Sequence, residues 1–288
     1  MPYSVWNTMP SRATTGFRSP HLPDGSPPPG TTFPAIVAHA VRHYTRPGEL
    51  VLDPRCASGA ALAEAVRLGR GAIGMARSRP QAEAAQTNLR RAAGPARARR
   101  DAVVVSGHDV DRLERVLSER VALIVIAMPH HPPPAGRGDP TGPVSGPPSH
   151  LGQLVRAGAD RELFTFSRLL RRMRPLLRPG GTLLVTLRPW HAYGELVDLP
   201  GAVWTLGRRA GLPLSERCAA LLVPVGDGEL LLPAFPARRR DRCLVVHEDV
   251  LVFREPGGEP GGREKGGSPP TRGEPRPMSS WPPAGQSL

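Results

Sequence analysis

The chain has 288 residues, and its 38 basic and 25 acidic side chains give a net charge of +13. Its 36 prolines and 32 glycines, about a quarter of the sequence, approach the content of low-complexity segments, so part of the chain is not expected to pack. No apolar run approaches the roughly 20 residues of a membrane span. Residues 1–10 lack signal-peptide features, and the three cysteines lack zinc or disulfide spacing, so a cytoplasmic, reduced protein is predicted.

The positive charge comes almost entirely from arginine, since Lys265 is the only lysine. Two interpretations fit this skew. Attraction to nucleic acid is the functional one. The other is codon drift in a GC-rich coding sequence, which the abundance of Ala, Gly and Pro also indicates. Composition alone leaves both open.

Three stretches lack a sustained hydrophobic period. Residues 1–32 are rich in Pro, Ser, Thr and Gly and are predicted to form a disordered or extended arm. Residues 255–288 are dominated by Gly, Pro and charge and are predicted to form a disordered tail. A Pro/Gly-rich loop is predicted at 129–158, within a folded domain that spans 33–254.

Between the arm and the tail, helical and strand-like patterns alternate. Helices are predicted at 35–44, 60–68, 80–91, 110–118, 161–174 and 202–210. Strands are predicted at 49–53, 72–75, 102–106, 121–126, 182–187, 218–225 and 243–253. This alternation predicts an α/β fold, because parallel strands are joined through helices that cover both faces of the sheet. The last two strands have no helix between them and are expected to pair antiparallel at one edge.

The segment from Phe33 to Leu62 carries the most informative motif, a proline-led helix followed by PGELVLDPRCASGAAL. Further segments in the same order are LGRGAIG at 68–74, RPGGTLLV at 178–185 and HEDVLVF at 247–253. Over 33–254 the chain resembles S-adenosylmethionine-dependent amino-methyltransferases, whose usual pattern is PGDxVLDPxxGxGTT. These enzymes methylate exocyclic amines in DNA (cytosine N4 or adenine N6), and tRNA guanine N2-methyltransferases are their relatives.

The resemblance implies a Rossmann-like class I methyltransferase fold. Such a fold has a mostly parallel seven-stranded sheet with an antiparallel edge strand and helices on both faces. The resemblance also implies S-adenosylmethionine as the cofactor. The matching cofactor-binding positions are Asp53, Pro54, Cys56, Ala57, Gly59, Met75, Ala76 and Asp109.

The cofactor positions match the family pattern unevenly. A glycine-rich turn after the first strand lets a ligand approach the backbone closely, but Ala57 stands where the first glycine is usual. An ordinary strand-end turn at Asp53 is the alternative interpretation. Met75 and Ala76 offer no good acceptor where the family has a ribose-binding acid. Asp109 would bind the adenine amine or cap the following helix.

The family's target motif follows the fourth strand, and here it reads Ala127, Met128, Pro129, His130. In the family a polar residue and a proline-linked carbonyl accept hydrogen bonds from the target amine, and an aromatic ring stacks on the flipped base. Ala127 has no side-chain acceptor, and Met128 replaces a proline. His130 would stack on a base or would lie in solvent as a loop histidine.

Three functions are compatible with these features. The first is methyl transfer to an exocyclic amine of nucleic acid, DNA rather than RNA by preference, in a catalytically impaired enzyme. The second is a non-catalytic nucleic-acid-binding protein that keeps the fold, and the third is a small-molecule methyltransferase. Six arginines are predicted to contact phosphates: Arg168, Arg171, Arg172, Arg238, Arg239 and Arg240. The alternative interpretation is that they form solvated surfaces. No metal and no membrane partner is expected, and the oligomeric state is open.

Overall fold

A computed structural model of the chain describes residues 3–6, 8, 34–106, 115–129, 148–188, 190–192, 195–227, 229–230 and 246–257. Its helices are α1 (Pro34–Tyr44), α2 (Ala60–Arg67), α3 (Arg79–Ala93), α4 (Pro95–Asp101), α5 (Pro148–Met173) and α6 (Leu199–Arg209). The longer strands are β1 (Tyr3–Trp6), β2 (Leu50–Asp53), β3 (Gly71–Ala76), β4 (Ala102–Ser106), β5 (Val121–Ala127), β6 (Leu177–Leu187), β9 (Leu214–Leu221) and β12 (His247–Arg254). Two small antiparallel ribbons are formed by β7 (Trp190–Ala192) with β8 (Glu195–Val197) and by β10 (Val225–Gly226) with β11 (Glu229–Leu230).

The eight longer strands form one sheet in the order β1-β9-β12-β6-β5-β2-β3-β4. Within it β12 runs antiparallel to β6 and β9, and the other described pairs are parallel. The predicted α/β fold with a mostly parallel sheet is confirmed. Two details differ: the sheet has eight strands rather than seven, and the antiparallel strand lies inside it, with β9 and β1 beyond.

The additional strand β1 comes from the segment that was predicted to be a disordered or extended arm. It pairs with β9, Tyr3 opposite Arg217 through Trp6 opposite Ala220. Trp6 is only 6% exposed, and its ring lies 4.3 Å from that of His39 on α1. The strand is held by one aromatic anchor and backbone pairing, which a four-residue segment does not reveal through periodicity.

The core lies on both faces of the sheet. One layer packs α1 to α4 against the strands, and the other packs α5 and α6. All seven residues of β5 are buried between these layers, which explains its continuous run of apolar, mostly β-branched residues. Among the described helices, none is long and apolar enough to cross a membrane.

The helix α5 corrects the predicted loop at 129–158, because residues 148–158 are helical. Pro148 is the first residue of α5, a position where proline is favoured since its missing N–H has no partner in the first turn. The predicted helix 161–174 is therefore the C-terminal half of a longer element. Residues 130–147 of the predicted loop lie outside the described residues.

The chain places its topological switch point between β2 and β5. From β2 the sheet grows through β3 to β4 on one side, and from β5 through β6 on the other. In open α/β sheets, ligands bind beyond the carboxyl ends of the strands at this point. Asp53, at the end of β2, and Ala127, at the end of β5, therefore flank the crevice where a ligand is expected.

Candidate functional site

The loop from β2 to α2 begins with a side-chain turn at Asp53. The backbone N–H of Arg55 donates to Asp53 Oδ1 at 2.9 Å, so the carboxylate fixes the start of the loop. At the next residue, the N–H of Cys56 donates to the carbonyl of Met75 at 3.1 Å. These two contacts hold the loop against the end of β3 and keep Asp53 at the carboxyl edge.

Two residues of this loop have left-handed backbone conformations. Gly59 has φ +77°, and Ala57 has φ +41°. A Cβ on Gly59 would lie 2.9 Å from Ala85 Cβ and 3.0 Å from its Cα, so both torsion and packing require glycine there. At Ala57 the methyl group is accommodated in a region that favours glycine, at a cost in strain. The backbone at Ala57 therefore has the left-handed conformation that a glycine at this position would adopt readily.

The helix α3 supports the loop through a buried amide. Asn88 Nδ2 donates to the carbonyl of Ser58 at 2.8 Å, and both residues are buried. The hydroxyl of Ser58 is also buried and has no hydrogen-bond partner among the described residues. Sequence reasoning missed Asn88, whose signal was a polar residue on the same buried face as Ala85 and Leu89.

The glycine at position 74 on β3 allows the loop to pack closely on the sheet. A Cβ there would lie 2.3 Å from Leu62 Cδ1 and 2.9 Å from Cys56 Sγ. The loop residue Cys56 is buried in this contact and lies in the core rather than at the crevice. Pro54 is buried as well. Of the predicted loop positions, Asp53, Ala57 and Gly59 are the ones whose geometry suits a ligand.

The electrostatics of the loop are dominated by burial. Burial raises the pKa of Asp53 to about 7, although the N–H and the guanidinium charge of Arg55 oppose the shift. Burial, reinforced by the charge of Asp53, raises the pKa of the Cys56 thiol, so this cysteine stays protonated. Arg55 Nη1 forms an ion pair with Glu162 Oε1 on α5, and both side chains are largely buried. The pair fastens the loop to the opposite layer.

The end of β3 offers apolar side chains where the family has a ribose-binding acid. Met75 is 3% exposed and Ala76 is 1% exposed. The next residue, Arg77, is exposed, and its N–H donates to Gln81 Oε1 at 3.0 Å. The predicted adenine-binding residue Asp109 lies outside the described residues.

The end of β5 differs from the predicted target pocket. Ala127 lies in register with Thr186 of β6, and the N–H of Met128 donates to the Thr186 carbonyl at 2.8 Å. Side chains alternate across a strand, and that of Met128 is on the face that packs against α5 and α6. It is fully buried there and does not line the crevice. This corrects the prediction for Met128. Pro129 is half-buried, and His130 lies outside the described residues.

Three of the six predicted arginine contacts lie in the described part of the chain, and all three are on α5. Arg168 and Arg171 are exposed on α5, and Arg172 is partly exposed. Arg171 lines a cavity of about 590 Å³, together with Arg174 and Arg209. This cavity adjoins residues that precede β5 and β6, so it lies at the amino edge of the sheet, opposite the crevice. The remaining predicted contacts, Arg238, Arg239 and Arg240, lie outside the described residues.

No model of a protein family matches this sequence, and no curated protein is similar to it. Solved structures with a similar fold include TrmN from Thermus thermophilus, at 20% identity and a TM-score of 0.44, covering 78% of this chain and 50% of that one. A TehB-like SAM-dependent methyltransferase from Corynebacterium glutamicum is 16% identical, with a TM-score of 0.41 and coverages of 76% and 86%. A SAM-dependent methyltransferase from Methanosarcina mazei is 12% identical, with a TM-score of 0.45 and coverages of 79% and 100%. The chain thus spans half the length of the TrmN structure.

Proposed function

We propose that the chain binds S-adenosylmethionine at the carboxyl edge of the sheet and transfers its methyl group to an exocyclic amine of nucleic acid. The observation that carries the proposal is the β2–α2 loop. It combines a carboxylate at the strand end, two left-handed residues and a close packing contact at Gly59. It also stands at the switch point of the sheet, where nucleoside ligands bind in α/β folds.

The residues present fit one end of the cofactor better than the other. The carboxylate of Asp53 suits an ammonium group, and the N-terminus of α2, which has no acid in its first turn, suits a carboxylate. The buried, unpartnered hydroxyl of Ser58 adds a polar group to the same loop. At the ribose end, Met75 and Ala76 provide no acceptor. We therefore expect the ribose to be bound more weakly than in enzymes that have an acid at the end of this strand.

The residues at the end of β5, where the target amine would bind, are compatible with slow methyl transfer. S-adenosylmethionine, when bound, supplies an electrophilic methyl group, and direct displacement needs mainly a well-placed nucleophile. Ala127 gives a target amine no side-chain acceptor, and a missing hydrogen-bonding group in a preorganised site costs roughly 10²–10³ in rate. The net charge of +13 favours a polyanionic acceptor, and we take DNA as the first choice and RNA as the second.

A second candidate is a non-catalytic nucleic-acid-binding protein. The specific observation in its favour is that Ala76 and Ala127 both lack the polar groups on which the family's chemistry depends, while the sheet and loop are intact. A small-molecule methyltransferase is the third candidate. Cofactor binding separates the second candidate from the other two, and transfer to nucleic acid separates the first from the third.

Calorimetric titration with S-adenosylmethionine, and with S-adenosylhomocysteine in parallel, tests the proposal. We expect micromolar binding that weakens about 10- to 100-fold in Asp53→Asn, because a hydrogen bond to a charged group is lost. Since Asp53 has a pKa of about 7, affinity in the wild type should rise between pH 6 and 8, as the carboxylate forms. Asp53→Asn should remove this pH dependence.

The titration also has an outcome that contradicts the proposal. If circular dichroism shows a folded protein and no heat is detected up to millimolar ligand, the chain is not a methyltransferase. If the cofactor binds, transfer of a labelled methyl group is measured on single-stranded and duplex DNA and on RNA. Cofactor binding without transfer of the label to any of these nucleic acids supports the small-molecule candidate.

A further inference from the structure

The solvent-facing side of α5 carries a stripe of arginines with an aromatic ring in its middle. Arg161, Phe164, Arg168 and Arg171 are three or four positions apart, so their side chains share one face of the helix. All four are exposed, whereas Phe166 on the opposite face is buried against the sheet. These four residues form the α5 stripe, which neither the core nor the β2–α2 loop uses.

The ring of Phe164 is the most exposed aromatic group of the fold. It is 62% exposed, and the next most exposed aromatic residue in the described ranges is Trp204, at 37%. A single exposed apolar residue is common on protein surfaces. Here, however, the ring has Arg161 one turn before it and Arg168 one turn after it. An exposed ring between cations is typical of surfaces on which nucleic-acid bases stack.

The arginines of the α5 stripe have no acidic partner. None of the three forms an ion pair or a side-chain hydrogen bond with any described residue. The nearest acids in the sequence are Asp160, which is exposed, and Glu162, which is engaged with Arg55. On α3, by contrast, Arg79 pairs with Glu83 one turn later. The guanidinium donors of the stripe are therefore available to an external anion.

The position of the stripe links it to the crevice. Glu162, next to Arg161, pairs with Arg55 of the β2–α2 loop, so this end of the stripe lies beside the carboxyl edge of the sheet. At the other end, Arg171 lines the cavity at the amino edge. The two ends are about 15 Å apart along the helix axis, which corresponds to about four stacked nucleotides at about 3.4 Å each. The stripe therefore leads from the crevice along the outside of α5.

The chemistry of the stripe matches a single strand of nucleic acid. Arginine binds the oxygens of a phosphodiester, and the face of an aromatic ring stacks on a base. In a duplex the base faces are covered by neighbouring bases, so a protein ring stacks only on a base that is unpaired or flipped out. The net charge of +13 adds a long-range attraction to a polyanion. An acidic peptide would use the arginines but would leave the ring without a role.

We propose that the α5 stripe binds single-stranded DNA beside the methylated nucleotide, with a base stacked on Phe164 and phosphates bound by Arg161 and Arg168. This inference rests on the proposed function, in that DNA is the methyl acceptor. It adds a docking surface outside the crevice, and the stacking contact makes that surface specific for an unpaired strand.

Fluorescence anisotropy with a labelled single-stranded DNA of about 12 nucleotides tests the stacking contact. Phe164→Ala should weaken binding about 5- to 100-fold, because one base loses its stacking partner. Phe164→Leu keeps an apolar side chain without an aromatic face and should weaken binding about as much. Phe164→Trp should bind at least as tightly as the wild type. Binding to a duplex of the same sequence should change less than about twofold in Phe164→Ala.

The arginines are tested through the salt dependence of binding. Arg168→Gln should lower the slope of log K against log salt by about 0.7, the change for one phosphate of a single strand. The matched control is Arg91→Gln at the end of α3, where the arginine is also exposed and no exposed large apolar residue lies on the helix. This control should leave the slope unchanged and alter the affinity by less than about twofold.

Thermal melts of each variant show whether it is folded. The proposal is overturned if folded Phe164→Ala or Phe164→Leu binds single-stranded DNA as the wild type does, or if Arg91→Gln lowers the slope as much as Arg168→Gln. Binding of an RNA of the same sequence about tenfold more tightly than DNA would also overturn it. Affinity for S-adenosylmethionine should be unchanged in these variants. Failure of the wild type to bind S-adenosylmethionine contradicts the proposed function instead, and so the two failures are distinguishable.

Discussion

The loop after β2 and the end of β5 face each other across the switch point, and they differ in opposite ways from the methyltransferase pattern that the sequence resembles. In the loop, Ala57 stands where that pattern has glycine, and its backbone is left-handed, with φ +41°. At the end of β5, Ala127 is apolar and the Met128 side chain is in the core, so neither supplies the polar group that the pattern has there. The loop therefore matches the pattern in backbone shape, whereas these two residues at the end of β5 do not match it in side-chain chemistry.

The difference follows from what holds each region. Contacts with α3 determine the backbone geometry of the loop, because Gly59 packs against Ala85 and Asn88 donates a hydrogen bond to the Ser58 carbonyl. Losing that geometry would destabilise the whole domain. A hydrogen-bond acceptor at position 127 contributes nothing to the core, and an apolar residue at this buried end of β5 is at least as favourable for stability. Packing therefore constrains the backbone of the β2–α2 loop, whereas it does not require a polar side chain at position 127.

The largest expected effect comes from Gly59→Ala, which disturbs the packing of the β2–α2 loop against α3. The new methyl group meets Ala85 at 2.9 Å, and the residue must hold φ +77°. Together, steric overlap and left-handed strain should lower the free energy of unfolding by about 3 kcal/mol. Urea denaturation measures this loss, and the titration with S-adenosylmethionine should show no binding.

The matched control for this substitution is Gly180→Ala, at φ +70° with no atom within 4 Å of the added Cβ. It bears the backbone strain alone and should cost about 1 kcal/mol. Equal losses in the two variants would show that Ala85 does not enforce the loop, and the comparison between the two regions would lose its physical basis.

A smaller effect is expected from Ala127→Asn, which restores a side-chain acceptor at the end of β5. If the target amine binds there, the rate of labelled methyl transfer should rise at least about tenfold, because one well-placed hydrogen bond contributes that much in a preorganised site. Affinity for S-adenosylmethionine should not change. Initial rates at saturating cofactor measure the gain.

The control is Ala127→Leu, which has a similar size and no acceptor, and which should give no gain in rate. If Ala127→Asn is folded, binds the cofactor and transfers methyl groups no faster than the wild type, then the acceptor does not bind at the end of β5. In that case the loss of polar groups there has no bearing on activity.

The sequence predicted the fold well where local patterns carry the information. The continuous apolar run of β5 and the alternation of helices and strands identify a sheet buried on both faces. The strand β1 was missed, since its stability depends on Trp6 packing against His39, far along the chain. The start of α5 was missed because proline was taken to indicate a loop, whereas at the first helical position it is favoured.

The site could be predicted only where it is encoded by consecutive residues. The motif around Asp53 and Gly59 is local, so the loop was found. The role of Asn88 depends on a partner 30 positions away, which no spacing reveals. Met128 was assigned to the target pocket from its position in the resembled motif, and a motif does not show which face of the sheet each side chain occupies.

The smallest expected effect, Ala57→Gly, asks whether the retained loop shape is strained. A left-handed alanine costs about 1–2 kcal/mol, and glycine loses about 0.5–1 kcal/mol through the flexibility of the unfolded chain. We therefore expect a net gain in stability of about 0.5–1 kcal/mol in urea denaturation. The control is Ala84→Gly on the exposed face of α3, which should lose about 1 kcal/mol. A loss in Ala57→Gly as large as that in Ala84→Gly would mean that the alanine is unstrained, and that this loop has adapted to it.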